Sequence, residues 1–470
     1  MKILLINPPF EYTIQSCQPK ILEEGLDFLP PLGIMYIAAY LQQETEHQIE
    51  ILDTQVEKLT YEQIGEKIKE INPDVAGITA MTFTIIDVIE TAKTIKKINP
   101  EIKIILGGPH VIIYPEETID IPEIDFVIMG EGEKPIKQLL ENINNPEKLK
   151  QIKGLVFKLN NEIINNGVAD PIENLDTLPF PARHLTPFKK YFSVVSPNAP
   201  VTTMFTSRGC PYKCLFCDRP TFGKGFKPRS ARSVVNEMEQ CQKMGIKEIF
   251  IYDDTFAIDK QRVLDICLEV KKRNINIAWD IRTRVNTVDE EILKALKEAG
   301  CQRIHYGVEA GTTKILNVLR KGITLEQVET AFKLTEQAGI QTAGYFMIGS
   351  PTETKEDILQ TIKFMKKINP DYIHVTITTP FPATDLYKMA LDEKIIDHDV
   401  WKEFAKNPNP EFMPPIWDKE LNRKELFSLL KKAYRSFYLR PSYIVKRIVK
   451  LKSLKDLIKK AAAGLKLFKI

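Results

Sequence analysis

Apolar positions in this chain fall into two series of short runs, each run followed by an amphipathic segment. In residues 1–145 the runs are Lys2–Asn7, Ile49–Leu52, Asp74–Thr79, Lys103–Leu106 and Asp125–Met129. Continuous rather than alternating apolar runs suit strands covered on both faces, and strand–helix alternation predicts a parallel sheet. Five such units predict a doubly wound α/β domain whose ligands bind at the carboxyl ends of the strands. Thr60 with Gln63 three residues on is a capping box for one of its helices.

Over residues 146–195 the alternation lapses. Leu155-Val156-Phe157 and Glu162-Ile163-Ile164 flank Asn160-Asn161 and predict a hairpin, and Leu178-Pro179-Phe180-Pro181 predicts an extended linker. Over 196–390 the alternation returns six times, at Val201–Thr206, Glu248–Tyr252, Ile277–Ile281, Arg303–Tyr306, Thr342–Met347 and Tyr372–Ile377. The intervening helices are marked by Ile292, Leu296 and Ala299 with Gly300 as the stop, by a Thr324/Gln327 capping box, and by Ile358, Ile362 and Met365. Six such units predict a partial (β/α)6 barrel of the TIM type, with its active site at the carboxyl strand ends. Residues 391–470 predict a helical, basic C-terminal segment.

Composition refines this picture. With 470 residues, 43% apolar and 27% charged, the chain predicts a soluble, multidomain globular protein. The opening apolar run is broken by Asn7-Pro8-Pro9, too early for a signal peptide or a membrane span, which predicts a cytoplasmic location. Seven cysteines, an odd number with three clustered, suit a reducing compartment; Cys17, Cys241, Cys267 and Cys301 are scattered and predict buried thiols. From Leu421 to Ile470 there are 15 basic and 2 acidic residues, whereas the rest of the chain has 50 and 60. In that tail Ile444, Ile448, Leu451, Leu454, Leu457 and Ile458 recur along one face. Such a helix either packs on the acidic body with solvated lysines or touches an anionic membrane surface. Nucleic acid is not expected, since no stacking module is visible.

The candidate chemistry begins with Cys210, Cys214 and Cys217, spaced C-x3-C-x2-C. Three thiolates this close can hold three irons of a cubane cluster and leave the fourth open to a small molecule. A zinc knuckle is the alternative, but it wants four ligands in paired spacings, and no second Cys or His pair lies nearby.

With Phe216 before its last cysteine, the triplet resembles the signature of the radical S-adenosylmethionine (SAM) enzymes. The resemblance extends over residues 200–390: Tyr252-Asp253-Asp254-Thr255-Phe256, Gly307-Val308-Glu309-Ala310-Gly311, Phe346 to Thr354, and Pro380 to Tyr387 each follow a predicted strand. It implies a [4Fe-4S] cluster on the three cysteines and reductive cleavage of SAM, with an electron donor such as flavodoxin or ferredoxin. Glu309 is then a candidate for a ribose hydroxyl, Asp253 or Asp254 for the SAM ammonium, and Arg282 or Arg284 for its carboxylate. Gly349-Ser350-Pro351-Thr352 departs from the usual Gly-Leu-Pro-Gly and leaves adenine contacts there open.

The first domain resembles the Rossmann-like cobalamin-binding domain that precedes one large subgroup of these enzymes. The resemblance rests on Asn7-Pro8-Pro9, Pro31-Leu32-Gly33, Gly107-Gly108-Pro109-His110 and Gly130-Glu131-Gly132-Glu133, and it implies cobalamin contacts at Pro8, Pro9, Gln55, Thr79, Gly107, Gly108, Gly130, Glu131 and Gly132. A plain nucleotide-binding domain is the rival, but G-x-G-x-x-G is absent after the first strand. Where many cobalamin domains place a cobalt-ligating His, Asp53-Thr54-Gln55 puts Gln55, so no strong lower ligand is expected; His110 reads as a structural residue. The resemblance implies a cobalamin-dependent methyltransferase acting on an unactivated carbon of a small molecule or lipid. Alternatives are radical chemistry without methyl transfer, like the anaerobic chlorophyll-pathway cyclase, and a non-catalytic cofactor-binding protein. Methylthiolation fits worse, because the first domain offers Cys17 alone where a second cluster needs three cysteines.

Overall fold

The computed structural model describes residues 1–14, 27–218, 223 and 225–449. The first series of runs becomes β1 (Lys2–Asn7), β2 (Gln48–Asp53), β3 (Val75–Thr79), β4 (Lys103–Gly107) and β5 (Phe126–Ile128), parallel in the order β2-β1-β3-β4-β5. Alternate residues of one strand feed two cores. Leu4 and Ile6 pack on one side of the sheet, Ile3 and Leu5 on the other, which is why the run had to be continuous. The expected hairpin forms as β6 (Leu155–Leu159) and β7 (Glu162–Asn165), and it adds antiparallel to β5, so the sheet has seven strands.

The second series becomes β8 (Val201–Met204), β9 (Glu248–Ile251), β10 (Ala278–Thr283), β11 (Cys301–Glu309), β12 (Gln341–Ile348) and β13 (Tyr372–Ile377), parallel and in chain order. Trp279, Ile281, Ile304, Tyr306, Phe346 and Ile348 join the core beneath the helices, so the residues between them face the concave interior. Both expected capping boxes form, Thr60 with Gln63 and Thr324 with Gln327. Gly300, at φ +93°, turns the chain after the helix Glu290–Glu298.

Beyond β13 the chain crosses back to the first domain. Leu386, Trp401 and Phe404 share a core with Leu4, Ile78 and Val111, and the Phe83 ring lies 5.6 Å from Phe381 and 6.0 Å from Trp401. The helix Arg423–Tyr438 then returns to the barrel. There the Tyr434 hydroxyl accepts from Val375 N–H (2.9 Å) and donates to its carbonyl (3.1 Å), and Tyr438 does the same for Ile373. Two phenols thus satisfy the open backbone edge of β13, where a seventh strand would otherwise pair. In the last helix Ile444 and Val445 are exposed. Residues 450–470, with most of the amphipathic tail pattern, and Cys17 lie outside the described residues. Among the described residues no helix is long and apolar enough to cross a membrane.

Candidate active site

The loop that carries the three cysteines is pinned at both ends. Just after β8, Thr206 and Ser207 donate their N–H groups to Asp253 Oδ1 (2.6 and 3.1 Å) and their hydroxyls to Oδ2 (2.5 and 2.6 Å). Further along, Leu215 N–H donates to the Leu319 carbonyl (3.0 Å), and Leu386 N–H donates to that of Leu215 (2.9 Å). Between these anchors Cys210 Sγ lies 3.7 Å from Thr255 Oγ1, and Arg284 Nη1 donates to Cys214 Sγ at 3.4 Å. Burial, then the neighbouring Cys214 and Cys210, push the Cys217 thiol up to about 12. Cys214 is buried and Cys210 and Cys217 are half-buried, so a cation beside them would favour the Cys217 thiolate.

The two candidate acids after β9 part company. Asp253 is buried, its four contacts with Thr206 and Ser207 making it an anchor of the chain. Asp254 is exposed at the mouth; partial desolvation and then Asp253 raise its pKa, opposed by the N–H of Gly209 beside the cysteine loop. The two arginines part likewise. Arg284 is buried against Cys214 with its guanidinium 3.9 Å over the Tyr212 ring, donates to the Lys321 carbonyl, and keeps a buried Nε with no hydrogen-bond partner. Arg282, two residues deeper along β10, stacks 3.5 Å over Tyr252. Glu309 holds a left-handed backbone (φ +71°) at the end of β11, unusual outside glycine and costing about 1–3 kcal/mol, and receives Lys321 Nζ at 2.6 Å. A Cβ at Gly307 would lie 2.6 Å from Glu309 Oε1, so this pair requires glycine beside it.

On the first domain the expected rim residues gather at the carboxyl strand ends. Pro8 and Pro9 are buried after β1; Gln55 Nε2 donates to the Pro8 carbonyl (2.8 Å) and to Asn7 Oδ1 (3.3 Å), while Asn7 Nδ2 donates to Asp53 (2.8 Å). A Cβ built on Gly107 or Gly33 would enter open space, whereas one on Gly108 (φ +110°) would lie 2.7 Å from the Ala80 carbonyl, with Thr79 Oγ1 at 3.3 Å. Gly130 and Gly132 are different: Val168 and Ile37 close over them at 2.9 and 3.2 Å from a built Cβ. His110 is fully buried, 3.1 Å from Thr82 Oγ1, and burial pushes it down to about 3, so its ring is neutral.

The two rims meet at Arg208, two residues before Cys210. Its guanidinium donates to Glu133 Oε1 (2.6 Å) and pairs with Glu131 Oε1 (3.2 Å), 5.5 Å from the Tyr36 ring; Glu131 also accepts from Ile172 N–H (2.5 Å). All three charged side chains are buried. Burial disfavours the Arg208 charge, but Glu133 and Glu131 outweigh it and hold its pKa above the ordinary value. The loop of Glu131 is thereby bolted to the cysteine loop.

Residues 204–365 match the Radical SAM superfamily and residues 21–140 the B12 binding domain. An uncharacterized methyltransferase of Pyrococcus horikoshii is 37% identical over 468 residues, covering 99% of this chain and 98% of its own. This chain belongs to the cobalamin-binding radical SAM family. The anaerobic magnesium-protoporphyrin IX monomethyl ester cyclase of Rubrivivax gelatinosus is 29% identical over 424 residues, 88% of this chain and 75% of the cyclase. The fold is that of the cobalamin-dependent SAM radical enzyme OxsB, with a TM-score of 0.74 at 19% identity over 99% of this chain and 72% of that one.

The family's [4Fe-4S] cluster, SAM and cobalamin fit the residues present. Three crowded thiols call for a cationic cluster, and the partnerless Nε of Arg284 suits an anionic ligand beside it. The open space before Gly107 and Gly33 is room for a flat cofactor against the backbone. Among the described residues no three His, Cys, Asp or Glu are grouped to hold a single metal ion.

Two groups escaped the sequence reading. Arg208 has partners 75 and 77 positions earlier, and no spacing rule links them. Apart from Arg282, the polar interior of the barrel was visible only in principle, as one polar residue per alternate strand position: Asp280, Arg303 and His305, Tyr345, then Tyr372 and His374.

Proposed function

We propose that this radical SAM protein is a methyltransferase acting on an unactivated carbon of a small molecule. The Arg208 bolt carries the reading: two buried carboxylates beside the cobalamin-domain glycines share one arginine with the cysteine loop, so both cofactor rims close on one space. Near-full-length similarity to a protein named a methyltransferase supports it. When bound, the cluster, SAM and cobalamin supply a hydrogen-abstracting radical and a methyl donor. The chain's own part is placement. Cys210, Cys214 and Cys217 hold the cluster; Arg284, Asp254 and Glu309 surround the SAM position; and Pro8, Gln55, Gly107 and Gly108 line the corrin position without an imidazole. Reductive cleavage needs an electron, so a flavodoxin- or ferredoxin-like donor belongs to this reading. A cytoplasmic protein with peripheral membrane contact and a lipid substrate is its extended form, supported by exposed Ile444 and Val445 in a basic segment.

The test is to feed methyl-labelled SAM and cell extract to the anaerobically reconstituted, reduced protein. A labelled small molecule and 5′-deoxyadenosine are expected, both lost in Cys214→Ala. No 5′-deoxyadenosine above that control would overturn the enzyme reading; 5′-deoxyadenosine with no labelled product would overturn methyl transfer.

A further inference from the structure

Three inward residues on adjacent barrel strands form a chain of hydrogen bonds with one open end. Asp280 (β10) accepts from Arg303 Nη1 (3.1 Å) and stands 3.0 Å from His305 Nε2 (β11), all on Oδ2; His305 Nδ1 stands 3.0 Å from the Tyr345 hydroxyl (β12). The ion pair with Arg303 makes Asp280 an acceptor, so Nε2 carries the histidine proton. Burial lowers the His305 pKa, and the ring is neutral. Nδ1 is then an acceptor, and Tyr345 is the donor to it. Asp280 and His305 are buried and Tyr345 is half-buried, so the chain ends on the interior face of the barrel at a phenol. The Arg282 charge acts on Tyr345 from the side, and the His374 ring centroid lies 5.2 Å from that of Tyr345. With its proton directed to His305, the phenolic oxygen keeps its lone pairs for whatever fills the interior.

We propose that Tyr345 is the acid–base residue of the barrel interior and that the substrate presents to it a hydroxyl on the carbon that reacts. This rests on the methyltransferase reading above. The substrate O–H proton passes to Tyr345 Oη as the Tyr345 proton passes to His305 Nδ1. One O–H bond breaks and one forms at the phenol, an N–H forms on the imidazole, and no electron changes hands. The resulting imidazolium is held by Asp280, with Arg282 and Arg303 facing it as opposing charges. A hydroxyl that gives up its proton releases electron density to its carbon, which weakens the adjoining C–H bond and steadies a radical there. Asp280 already has Arg303 as counterion, so a structural role alone accounts for the pair but not for a relay that ends at an accessible phenol.

Two measurements test this. In the full-length chain labelled with ¹⁵N-histidine, with His305 assigned from His305→Gln, the neutral Nε2–H tautomer is expected at neutral pH. Tyr345→Phe should shift Nδ1 and leave Nε2 in place. An Nδ1–H tautomer, or a charged ring, would overturn the relay. In the holoenzyme given methyl-labelled SAM and extract, Tyr345→Phe should lower labelled product relative to 5′-deoxyadenosine by about 100-fold, the low end of general acid–base effects. The wild-type product should carry a hydroxyl on the carbon that bears its new methyl. An unchanged ratio, or a product without that hydroxyl, would overturn the substrate assignment. Wild-type protein that forms no 5′-deoxyadenosine would instead overturn the methyltransferase reading, and the tautomer would still decide the relay.

Discussion

Replacing Arg208 by methionine should unfasten the two domains. The change removes the cation that Glu131 and Glu133 share while leaving both carboxylates buried. Removing one partner of a buried ion pair costs about 3–5 kcal/mol, because the other charge stays desolvated. Two features put the cost near the lower figure. Methionine keeps apolar packing against Tyr36, and Glu131 still accepts from Ile172 N–H. For a domain of this size about 3 kcal/mol corresponds to a fall in Tm of roughly 6–12 °C. Differential scanning calorimetry of the cofactor-free full chain reads this directly. Arg208→Met combined with Glu131→Gln and Glu133→Gln supplies the control, since neutral amides no longer need a counterion and most of the loss should return. A single mutant within about 1 °C of wild type would refute the reasoning, as would a triple mutant no more stable than the single.

Three further outcomes follow from particular contacts. Burial raises Glu353 to about 8, so the folded state retains a proton that the unfolded chain releases from about 4.5; stability should fall as pH rises between these values and level off above, and Glu353→Gln should abolish that slope in urea titrations at pH about 5 and 8. Gly108→Ala places a Cβ 2.7 Å from the Ala80 carbonyl at φ +110°, and should cost about 1–3 kcal/mol and lower the cobalamin retained through gel filtration. Removing residues 450–470 should abolish most flotation with anionic liposomes, each lost lysine being worth about 1 kcal/mol near such a surface; equal flotation would remove the membrane proposal. The cut belongs after Val449 because Tyr434 and Tyr438 cap the barrel edge.

What the sequence disclosed was local, and what it withheld was pairing across distance. The strands were legible because burial on two faces demands unbroken apolar runs such as Lys2–Asn7, and the cysteine loop because ligand spacing is a sequence property. Whether Asp253 or Asp254 faces the mouth turns on one residue of strand parity, decided by hydroxyls at Thr206 and Ser207 that no motif announces. The hairpin was legible but its pairing with β5 was not, since an antiparallel partner leaves no mark on a three-residue strand. Arg208 read as an ordinary residue before a motif until Glu131 and Glu133 came beside it. The interior relay was hidden because each strand contributes one member, and a single polar residue in a strand is common.

The return of the C-terminal segment to the first domain bears on how the protein is made. Met129 and Leu386 meet in one core, yet 257 residues separate them. At about 5–20 residues per second a ribosome takes roughly 13–50 s to travel that far. For that interval the nascent sheet has its flank open, with Phe83 and Val111 facing solvent or a chaperone rather than Trp401. Assembly of this protein is therefore ordered in time, with its earliest-made surface sealed by some of its latest-made residues.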